Sequence, residues 1–572
     1  MMAEESNSFM EYYKQMAPEI FESNTKIDKF IKDSMIKIYD RVSDANKDFP
    51  NKRMMAYKVL DRFMEKTGQI IFLKGIRNIG KTVLINQLAF VMGAAFIIQG
   101  DEIDEWLSTD SSLSIYSLFR RLKGNGFITV LIDEACKISN EGDLYSALKY
   151  YGSSMNILVT GSSSIAIEDM CFKCGRGEVL TMPPITYTEY VAIKNNLATN
   201  FSINPYKLEN IVMINAKSNS DELKEYMYTN YVDEAYYVEY VRKNLEDTIE
   251  SNYRRNRYVD NISELDLRLT LELVCYRTIL VLNKNDIFKN TVYEVIIEFL
   301  SEKYSTRLTE QELKQLQDID LGQVFRKKYE VVRNKLDSNK LYELVTFLEG
   351  SGLIGIDFSY NAIGINGSSS WNKSSLDFQS FKEAVNKNNL LVGDSRVDSL
   401  LLFPSTVSFT TYVYYIIFKD IHDYLGLTCD YEILKDFYTS EVSNLKGNLF
   451  EVLVYSSFLD ILPLDKIGKY RDGVFREVDL ILRMKNNIGI EIKNRNKNNI
   501  TKVNFKNYDS LIKEGVLDKI LILQTLDGVE HKLTDKIVKV EGDKIINLCL
   551  SCAYNDKDND KEEALNKMLM EL

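Results

Sequence analysis

The sequence predicts an α/β protein of several domains, and three observations support this. The chain has 572 residues, several times the length of one typical domain, so more than one packed core is expected. From Ile70 to about Ile185, the apolar runs IIFLKG, AAFIIQ, FITVLIDE and NILVTG alternate with helical stretches, which indicates a parallel sheet covered by helices. From about residue 396 to 550, helices again lead into apolar strands. We therefore expect two α/β domains joined by a middle region.

The predicted boundaries divide the chain into five parts. These are an N-terminal helical region at 1–60, the first α/β domain at 61–195, a helical middle region at 196–395, the second α/β domain at 396–550 and an acidic tail at 551–572. In the middle region, four apolar residues at helical spacing precede two glycines and the run LIGI: Leu341, Leu344, Val345, Leu348, Gly350 and Gly352. Helix, glycine turn and strand are typical of a winged-helix unit, and a helical hairpin edge is the alternative.

Composition excludes several classes of protein and of site. Apolar residues make up 45% and charged residues 27% of the chain, as in ordinary globular proteins. The apolar run Leu88 to Ile98 is too short to span a bilayer, and the first residues are acidic where a targeting signal would be basic. We therefore expect a cytoplasmic protein with no membrane partner. Cys171 and Cys174 form one CxxC, but a structural zinc needs a second pair of ligands, and the chain has seven cysteines and two histidines in all.

The balance of charges limits how the chain could contact nucleic acid. A net charge of −12 argues against wholesale coating of DNA or RNA, because non-specific affinity comes from basic side chains that replace counterions on phosphates. A local basic groove is compatible with this charge. Residues 481–520 hold nine basic and four acidic side chains, and Arg254, Arg255 and Arg257 form a second cluster. Such runs are usually solvated faces. The second cluster is therefore either a nucleic-acid contact or a solvated face.

The segment GIRNIGKT, from Gly75 to Thr82, matches the phosphate-binding pattern GxxxxGK[ST]. A predicted strand leads into it, and the helical stretch VLINQLAF follows. Backbone N–H groups of the loop and of the helix N-terminus then point at the phosphates of ATP, Lys81 supplies a positive charge, and the Thr82 hydroxyl can ligate Mg²⁺. The candidate nucleotide-binding residues are Gly75, Asn78, Gly80, Lys81 and Thr82.

The second half of the predicted site lies about fifty residues further on, where the strand FITVLIDE ends in Asp133 and Glu134. An aspartate there would hold Mg²⁺, and the adjacent glutamate could polarise the attacking water. An adenylate-type kinase would use a similar loop but would not need that glutamate, so the pair favours an ATPase. The next strand, NILVT, leads into a serine-rich loop in which Ser162, or Thr160 before it, is a candidate sensor of the γ-phosphate. An ordinary loop after a buried strand is the alternative.

The motifs GIRNIGKT, LIDE, VTGSSS, GRGEV and MPPITYTEY together resemble the AAA-type ATPases often called archaeal ATPases, which also occur in bacteria and are related to the signal-transducing STAND ATPases. In that family the glycine-arginine pair after the sensor strand recurs, and a proline-containing stretch that ends in a glutamate follows it. The resemblance implies that Arg176 is an arginine finger or a sensor. A finger would act on a neighbouring subunit in a homo-oligomer. An exposed loop arginine is the alternative.

The C-terminal domain carries a second group of candidate residues on a helix and two strands. The helix is GNLFEVLVYSSF, and the strands REVDLIL and IGIEIK follow. Alternation puts Val478, Leu480 and Leu482 on one face of the first strand. Three carboxylates can then converge beside a lysine, where they would bind Mg²⁺ or Mn²⁺, the metal would lower the pKa of a water, and the lysine would steady phosphate charge. The residues are Glu451, Asp479, Glu491 and Lys493.

The order GxxFE, EVDLI, IEIK resembles the PD-(D/E)XK nucleases and the C-terminal domain attached to many ATPases of the family named above. The resemblance covers roughly residues 70–545, loosely in the middle. It implies metal-dependent cleavage of DNA, with Asp479 and Glu491 as metal ligands and with Glu451 and Lys493 as catalytic residues. The leading hypothesis is an ATP-regulated nuclease. The alternative, which the acidic net charge favours, is an ATP-dependent signalling switch whose C-terminal domain only binds nucleic acid or protein.

Overall fold

The protein is described by a computed structural model. It covers residues 11, 13–75, 79–92, 95–161, 164–183, 185–194, 263–282, 292–337, 340–341, 344–345, 348, 354–359, 399–404, 407–427, 433, 436, 443–462, 466–472, 476–493, 502–524, 531–554 and 561–572. Its strands form a five-stranded sheet, a six-stranded sheet and a two-stranded ribbon. None of the helices in these ranges is both long enough and apolar enough to cross a membrane.

Three helices precede the first strand: α1 Pro18–Glu22, α2 Lys26–Asp48 and α3 Met54–Glu65. Thr25 is the N-cap of α2, because its side-chain oxygen accepts a hydrogen bond from the N–H of Asp28. Apolar side chains on α2, such as Ile31, Ile38 and Val42, are buried in the same core as the first sheet. The predicted N-terminal region is therefore helical, and it shares its core with the domain that follows it.

The first sheet has five parallel strands in the order β2-β3-β4-β1-β5. The strands are β1 Ile70–Lys74, β2 Ala95–Gln99, β3 Thr129–Asp133, β4 Asn156–Thr160 and β5 Glu178–Thr181. The helices between and after them are α4 Lys81–Met92, α5 Gly100–Ser108, α6 Ile115–Gly124, α7 Glu141–Tyr151, α8 Ser164–Cys174 and α9 Tyr187–Lys194. The predicted parallel sheet is confirmed. Its order places the carboxyl ends of β3, β4 and β1 side by side, which is where ligands bind in open α/β sheets.

Most of the described part of the middle region is helical. Its helices are α10 Glu264–Leu282, α11 Val292–Tyr304, α12 Glu310–Gln317 and α13 Leu321–Lys335. Leu341, Leu344, Val345 and Leu348 are helical and buried, as their spacing predicted. A strand β6, Ile354–Ser359, follows and pairs antiparallel with β7, Ser399–Pro404. Gly350 and Gly352 lie outside the described residues, so the winged-helix unit stays a prediction.

The C-terminal domain is built on a mixed sheet in the order β12-β13-β11-β10-β9-β8. Its strands are β8 Ile467–Asp472, β9 Arg476–Arg483, β10 Asn487–Lys493, β11 Lys519–Gln524, β12 His531–Lys532 and β13 Ile537–Glu541. Its helices are α14 Val407–Leu425, α15 Ser443–Leu459, α16 Lys502–Lys513, α17 Gly542–Tyr554 and α18 Lys561–Glu571. Strands β8, β9 and β10 are antiparallel neighbours, whereas β11 runs parallel to β10 and to β13.

The C-terminal residues differ from the predicted acidic tail, because most of residues 551–572 belong to helices. Leu565 and Leu569, one helical turn apart on α18, are fully buried in the large core of the C-terminal half. The Asn566 side chain accepts a hydrogen bond from the N–H of Asn486 at 3.1 Å, and Lys519 Nζ donates to the carbonyl of Met570 at 2.6 Å. On α18 the charged residues Glu563, Lys567 and Glu571 are exposed, while the apolar side of the helix is packed.

Candidate active site

The phosphate-binding pattern forms the turn between β1 and α4, and its two glycines are needed for steric reasons. Gly80 has φ +94°, a left-handed conformation that favours glycine. At Gly75 an added Cβ would lie 2.5 Å from Ile79 Cδ1 and 2.8 Å from the Met182 carbonyl oxygen. Residues 76–78, which include the candidate Asn78, lie outside the described residues. The sequence around the turn therefore produces the strand-loop-helix arrangement that the pattern requires.

The first turn of α4 supplies two of the predicted side chains. Lys81 begins the helix, and its Nζ donates a hydrogen bond to the carbonyl of Gly75 at 2.7 Å, across the turn. The ammonium group is thereby held at the loop although Lys81 is almost fully buried. The first turn of α4 has no acidic residue, so the positive end of the helix dipole and the Lys81 charge act together on an anion.

Asp133, at the end of β3, contacts both Thr82 of the phosphate-binding pattern and Thr160 at the end of β4. Its Oδ2 accepts a hydrogen bond from Thr82 Oγ1 at 2.7 Å, and its Oδ1 accepts one from Thr160 Oγ1 at 2.7 Å and one from the N–H of Glu134 at 3.1 Å. The carboxylate is buried, and both of its oxygens are oriented by these donors. A carboxylate and a hydroxyl at this separation are oxygen ligands that suit Mg²⁺, so Thr82 and Asp133 fit the predicted magnesium site.

Glu134 follows β3 in an uncommon backbone conformation. It has φ +49° and ψ +44°, and within the described chain no other non-glycine residue has positive φ. Gly100, at the start of α5, makes room for it, since a Cβ on Gly100 would lie 2.1 Å from the Glu134 carbonyl oxygen. The strained residue immediately after Asp133 is the predicted catalytic glutamate, and strained backbone of this kind often occurs at functional sites.

The predicted γ-phosphate sensor and the predicted arginine finger have different surroundings in the structure. Thr160, the alternative sensor, ends β4 and contacts Asp133 directly, while Ser162 lies outside the described residues. Arg176 Nη2 donates to the carbonyl of Leu148 at 2.9 Å and to that of Lys149, so it satisfies carbonyl groups at the end of α7. Reaching a phosphate on a neighbouring subunit would require these bonds to break. The arginine-finger role stays a prediction.

In the C-terminal domain, Asp479 and Glu491 lie on neighbouring antiparallel strands. The last register pair of β9 and β10 is Leu480 with Ile490, and Asp479 and Glu491 stand one position beyond it. Asp479 Oδ2 accepts a hydrogen bond from the N–H of Ile492 at 2.6 Å. Glu491 is buried and Asp479 is half-buried. Lys493 ends the same strand β10, although its side chain lies outside the description.

The predicted convergence of three carboxylates is not found. Among the described side chains, which include Glu451, Asp479 and Glu491, no three His, Cys, Asp or Glu are placed to hold one metal ion. Strand geometry explains this: α15, which carries Glu451, shares a core with Ile490 and Ile492, so alternation directs Glu491 to the opposite face of the sheet. Cys171 and Cys174 of the CxxC lie on α8, and burial raises the pKa of both thiols.

The predicted alternation along β9 is wrong at one position. Leu480 and Leu482 belong to the core that also contains α15, as expected, but Val478 lies in the opposite core with Ile481 and Leu511. The regular pleat is therefore interrupted around Asp479. Of the predicted basic regions, the Arg254 cluster lies outside the described residues. Lys519 of the other region is bonded to the Met570 carbonyl rather than free for a phosphate.

Sequence reasoning missed Arg53, which precedes α3. Its guanidinium forms an ion pair with Glu189, Nε to Oε1 at 3.0 Å, and donates to the carbonyl of Ile79 in the phosphate loop. A lone arginine ahead of a helix carries no local signal of such a contact. Glu189, by contrast, is the glutamate next to the end of the motif stretch MPPITYTEY.

Comparison with known proteins identifies one part of the chain. Residues 67–191 match the family model described as an AAA domain. No curated protein matches the chain. Residues 67–191 are therefore an AAA-type P-loop ATPase domain, which supports ATP binding and hydrolysis, with the Mg²⁺ that such domains usually require.

Proposed function

We propose that this protein hydrolyses ATP and uses the nucleotide to control its C-terminal domain, a metal-dependent nuclease that acts on DNA in the cytoplasm. The observation that carries the ATPase half is Asp133, whose two oxygens take hydrogen bonds from Thr82 of the phosphate loop and from Thr160 of β4. Glu134 follows it directly. This group supports hydrolysis rather than binding alone, because a water-polarising carboxylate stands beside the metal-binding one.

Each residue of the ATP site has a separate task. Lys81 and the N-terminus of α4 bind phosphate charge, and Thr82 and Asp133 would hold Mg²⁺. When bound, Mg²⁺ neutralises charge on the transferred phosphoryl group. Thr160 fixes the orientation of Asp133, and Glu134 orients the attacking water and withdraws its proton. In this assignment Glu134 does not contribute to ATP affinity.

Control of the C-terminal domain is proposed because that domain is packed directly on the ATPase domain. Met54 and Tyr187 are buried in the same core as α15 and the mixed sheet. Lys58 Nζ donates to the carbonyl of Leu459 at 3.3 Å, and Thr186 Oγ1 donates to Asp460 Oδ2 at 2.7 Å. A shift of the ATPase domain on nucleotide binding would therefore act directly on the end of α15.

The nuclease proposal rests on Asp479, Glu491 and Lys493. Two carboxylates on adjacent strands suffice for Mg²⁺, which usually binds one or two carboxylates and keeps several waters, and Mn²⁺ would fit the same ligands. Lys493 on the same strand as Glu491 would supply positive charge to the phosphodiester. The proposal leaves Glu451 out of this site, because its helix shares a core with Ile490 and Ile492, which alternate with Glu491 along β10.

A second function is favoured by two observations. Asp479 Oδ2 already accepts a hydrogen bond from the Ile492 N–H, and Asp479, Glu491 and Glu451 do not form a three-carboxylate group. Under this reading Asp479 has a structural role at the interrupted pleat of β9. The C-terminal domain would then bind nucleic acid or protein without cleaving it, as the output of an ATP-dependent switch.

One experiment separates the two functions. Supercoiled DNA, single-stranded DNA and RNA are incubated with the full chain and Mg²⁺ or Mn²⁺, with and without ATP, and an EDTA sample serves as the blank. We expect metal-dependent cleavage of DNA that Asp479→Asn abolishes and that Asp518→Asn preserves. Asp518 is a matched control, because it also accepts a backbone hydrogen bond in this domain, from the Asn487 N–H. No cleavage by the wild type, or full cleavage by Asp479→Asn, would leave the binding function in place.

A further inference from the structure

Arg53 occupies a buried position between the phosphate loop and the segment that precedes α9. Its Nη2 donates to the carbonyl of Pro183 at 2.7 Å and to Glu189 Oε2 at 3.0 Å, and its Nε donates to Glu189 Oε1 at 3.0 Å. Its Nη1 donates to the carbonyl of Ile79. The side chains of Arg53 and Glu189 are 9% and 2% exposed, so the pair is almost entirely removed from water.

A buried ion pair of this kind is weak evidence of stability, because desolvation offsets much of the attraction. The bidentate contact with Glu189 does, however, fix the orientation of the Arg53 guanidinium group. The planar guanidinium is held by both oxygens of Glu189 through Nε and Nη2, and its third nitrogen, Nη1, donates to one acceptor. That acceptor, the Ile79 carbonyl, belongs to the phosphate loop. Arg53 therefore fixes the orientation of a loop peptide that would otherwise be free to rotate.

The peptide in question joins Ile79 to Gly80. In a trans peptide the C=O and the N–H point in opposite directions. With the Ile79 carbonyl turned to Arg53, the Gly80 N–H points away from Arg53. Gly80 is the residue before Lys81, and its φ of +94° turns the chain into α4 at this point. Backbone N–H groups at this position of the loop are the ones expected to contact phosphate oxygens.

The same contacts continue into the C-terminal domain. Glu189 Oε1 accepts a hydrogen bond from the Met54 N–H at 2.6 Å, and the Thr186 hydroxyl accepts one from the Glu189 N–H at 3.2 Å. Thr186 and Thr188 both donate their hydroxyl hydrogens to Oδ2 of Asp460. Asp460 is the residue that directly follows α15. A continuous set of buried polar contacts thus runs from the phosphate loop to the end of α15.

We propose that Arg53 is a positioning residue for ATP, which turns the Gly80 N–H towards the phosphates, and that the Arg53–Glu189 pair and Thr186 transmit phosphate binding to Asp460. This inference rests on ATP binding by the loop and is independent of nuclease activity. It predicts two measurable effects: a change of ATP affinity when Arg53 is altered, and a change at the end of α15 when ATP binds.

The first test measures ATP affinity by calorimetry in Arg53→Lys, which keeps the charge but loses the two-pronged contact. We expect affinity to fall by about tenfold or more. The control is Arg121→Lys, because Arg121 also pairs with a buried carboxylate, Asp28, at 2.7 Å and lies away from the loop. Both variants lose stability, but the control keeps wild-type affinity. Equal affinities in wild type and Arg53→Lys overturn the proposal; if Arg53→Lys does not fold, Glu189→Gln takes its place with the same criterion.

The second test follows hydrogen exchange of residues 451–460 with and without saturating ATP. In wild type, ATP should slow exchange in this segment. In Thr186→Val, which removes the hydroxyl that links the Glu189 N–H to Asp460 at nearly constant shape, ATP affinity should stay unchanged while the exchange response falls by half or more. A full response in Thr186→Val, or none in wild type, contradicts the transmission. A wild type that does not bind ATP would instead refute the proposed function, and the two failures are thus distinguishable.

Discussion

Thr160 Oγ1 donates a hydrogen bond to Asp133 Oδ1 across 2.7 Å, which ties the end of β4 to the end of β3 inside the ATP site. Thr160 is fully buried, so no water replaces this donor. With Thr82 on the other oxygen, the orientation of the Asp133 carboxylate is set before any nucleotide arrives. Such prior orientation lowers the cost of reorganisation in the reaction.

Thr160→Val should therefore reduce turnover by about tenfold, while ATP affinity changes much less. The valine keeps the shape of the threonine but leaves Asp133 Oδ1 with one donor fewer. Phosphate release measures turnover, and calorimetry measures affinity. Thr129→Val at the other end of β3 is the matched control, because the Thr129 hydroxyl is buried and makes no hydrogen bond within the described part of the chain. Wild-type turnover in Thr160→Val would refute this role.

Gly100→Ala should impair hydrolysis through the backbone of Glu134. The added Cβ would lie 2.1 Å from the Glu134 carbonyl oxygen, so the glutamate must shift. We expect turnover to fall by about tenfold or more, because small displacements of catalytic groups are costly, with ATP binding retained. Gly142→Ala is the control, since a Cβ there meets no atom within 4 Å. If both variants turn over equally, Gly100 does not position Glu134.

Asp460→Asn should change how stability depends on pH. Burial, and then the charge of Glu189, raise the pKa of Asp460 to about 7, although Lys58 on α3 lowers it; Cys549 on α17 also faces this group. The folded wild type therefore binds a proton that the unfolded chain releases near pH 4, and its stability falls as the pH rises from about 4 to 7, by at most about 1.4 kcal/mol per pH unit.

Asparagine cannot ionise, so the unfolding free energy of Asp460→Asn relative to wild type should rise between pH 5 and pH 7 and level off above that. Urea unfolding at pH 5, 6, 7 and 8 measures the difference. Asp518→Asn, on a carboxylate that accepts a hydrogen bond from the Asn487 N–H, is the reference substitution. A difference between Asp460→Asn and wild type that is constant across this range would show that Asp460 does not hold its proton in the folded protein.

Arg176→Ala distinguishes a structural arginine from an arginine finger. Its bonds to the carbonyls of Leu148 and Lys149 predict a loss of stability of about 1 kcal/mol, since charged donors at a helix C-terminus contribute this much. Turnover per folded molecule should stay unchanged. Turnover that rises with protein concentration in wild type and collapses in Arg176→Ala, with nucleotide binding intact, would instead establish the finger and a homo-oligomer.

The sequence predicted the parallel sheet of the ATPase domain well because its signals are local. Four strands were predicted from continuous apolar runs, and nearly all of their side chains are buried. The fifth strand, β5, was not predicted, because its side chains are only partly buried and its pattern is weak. The order of the strands, which brings Thr82, Asp133 and Thr160 together, depends on pairing between distant segments and has no local signal.

Features that depend on distant contacts were missed or misjudged. Arg53 acquires its role only when Ile79 and Glu189 fold around it. Strict alternation placed Val478 on the wrong side of β9, because the strand departs from a regular pleat there. The acidic composition of the last residues concealed the two buried leucines of α18. In each case the deciding partner lies far away in the sequence.

The central claim is that Lys81 binds the phosphates of ATP while Glu134 acts only on the attacking water. The most direct measurement compares ATP affinity and phosphate release in wild type, Lys81→Ala and Glu134→Gln. We predict that Lys81→Ala loses binding and turnover together, and that Glu134→Gln binds ATP as wild type does but releases phosphate at least about 100-fold more slowly. Normal phosphate release by Glu134→Gln, or normal ATP affinity in Lys81→Ala, would contradict the assignment.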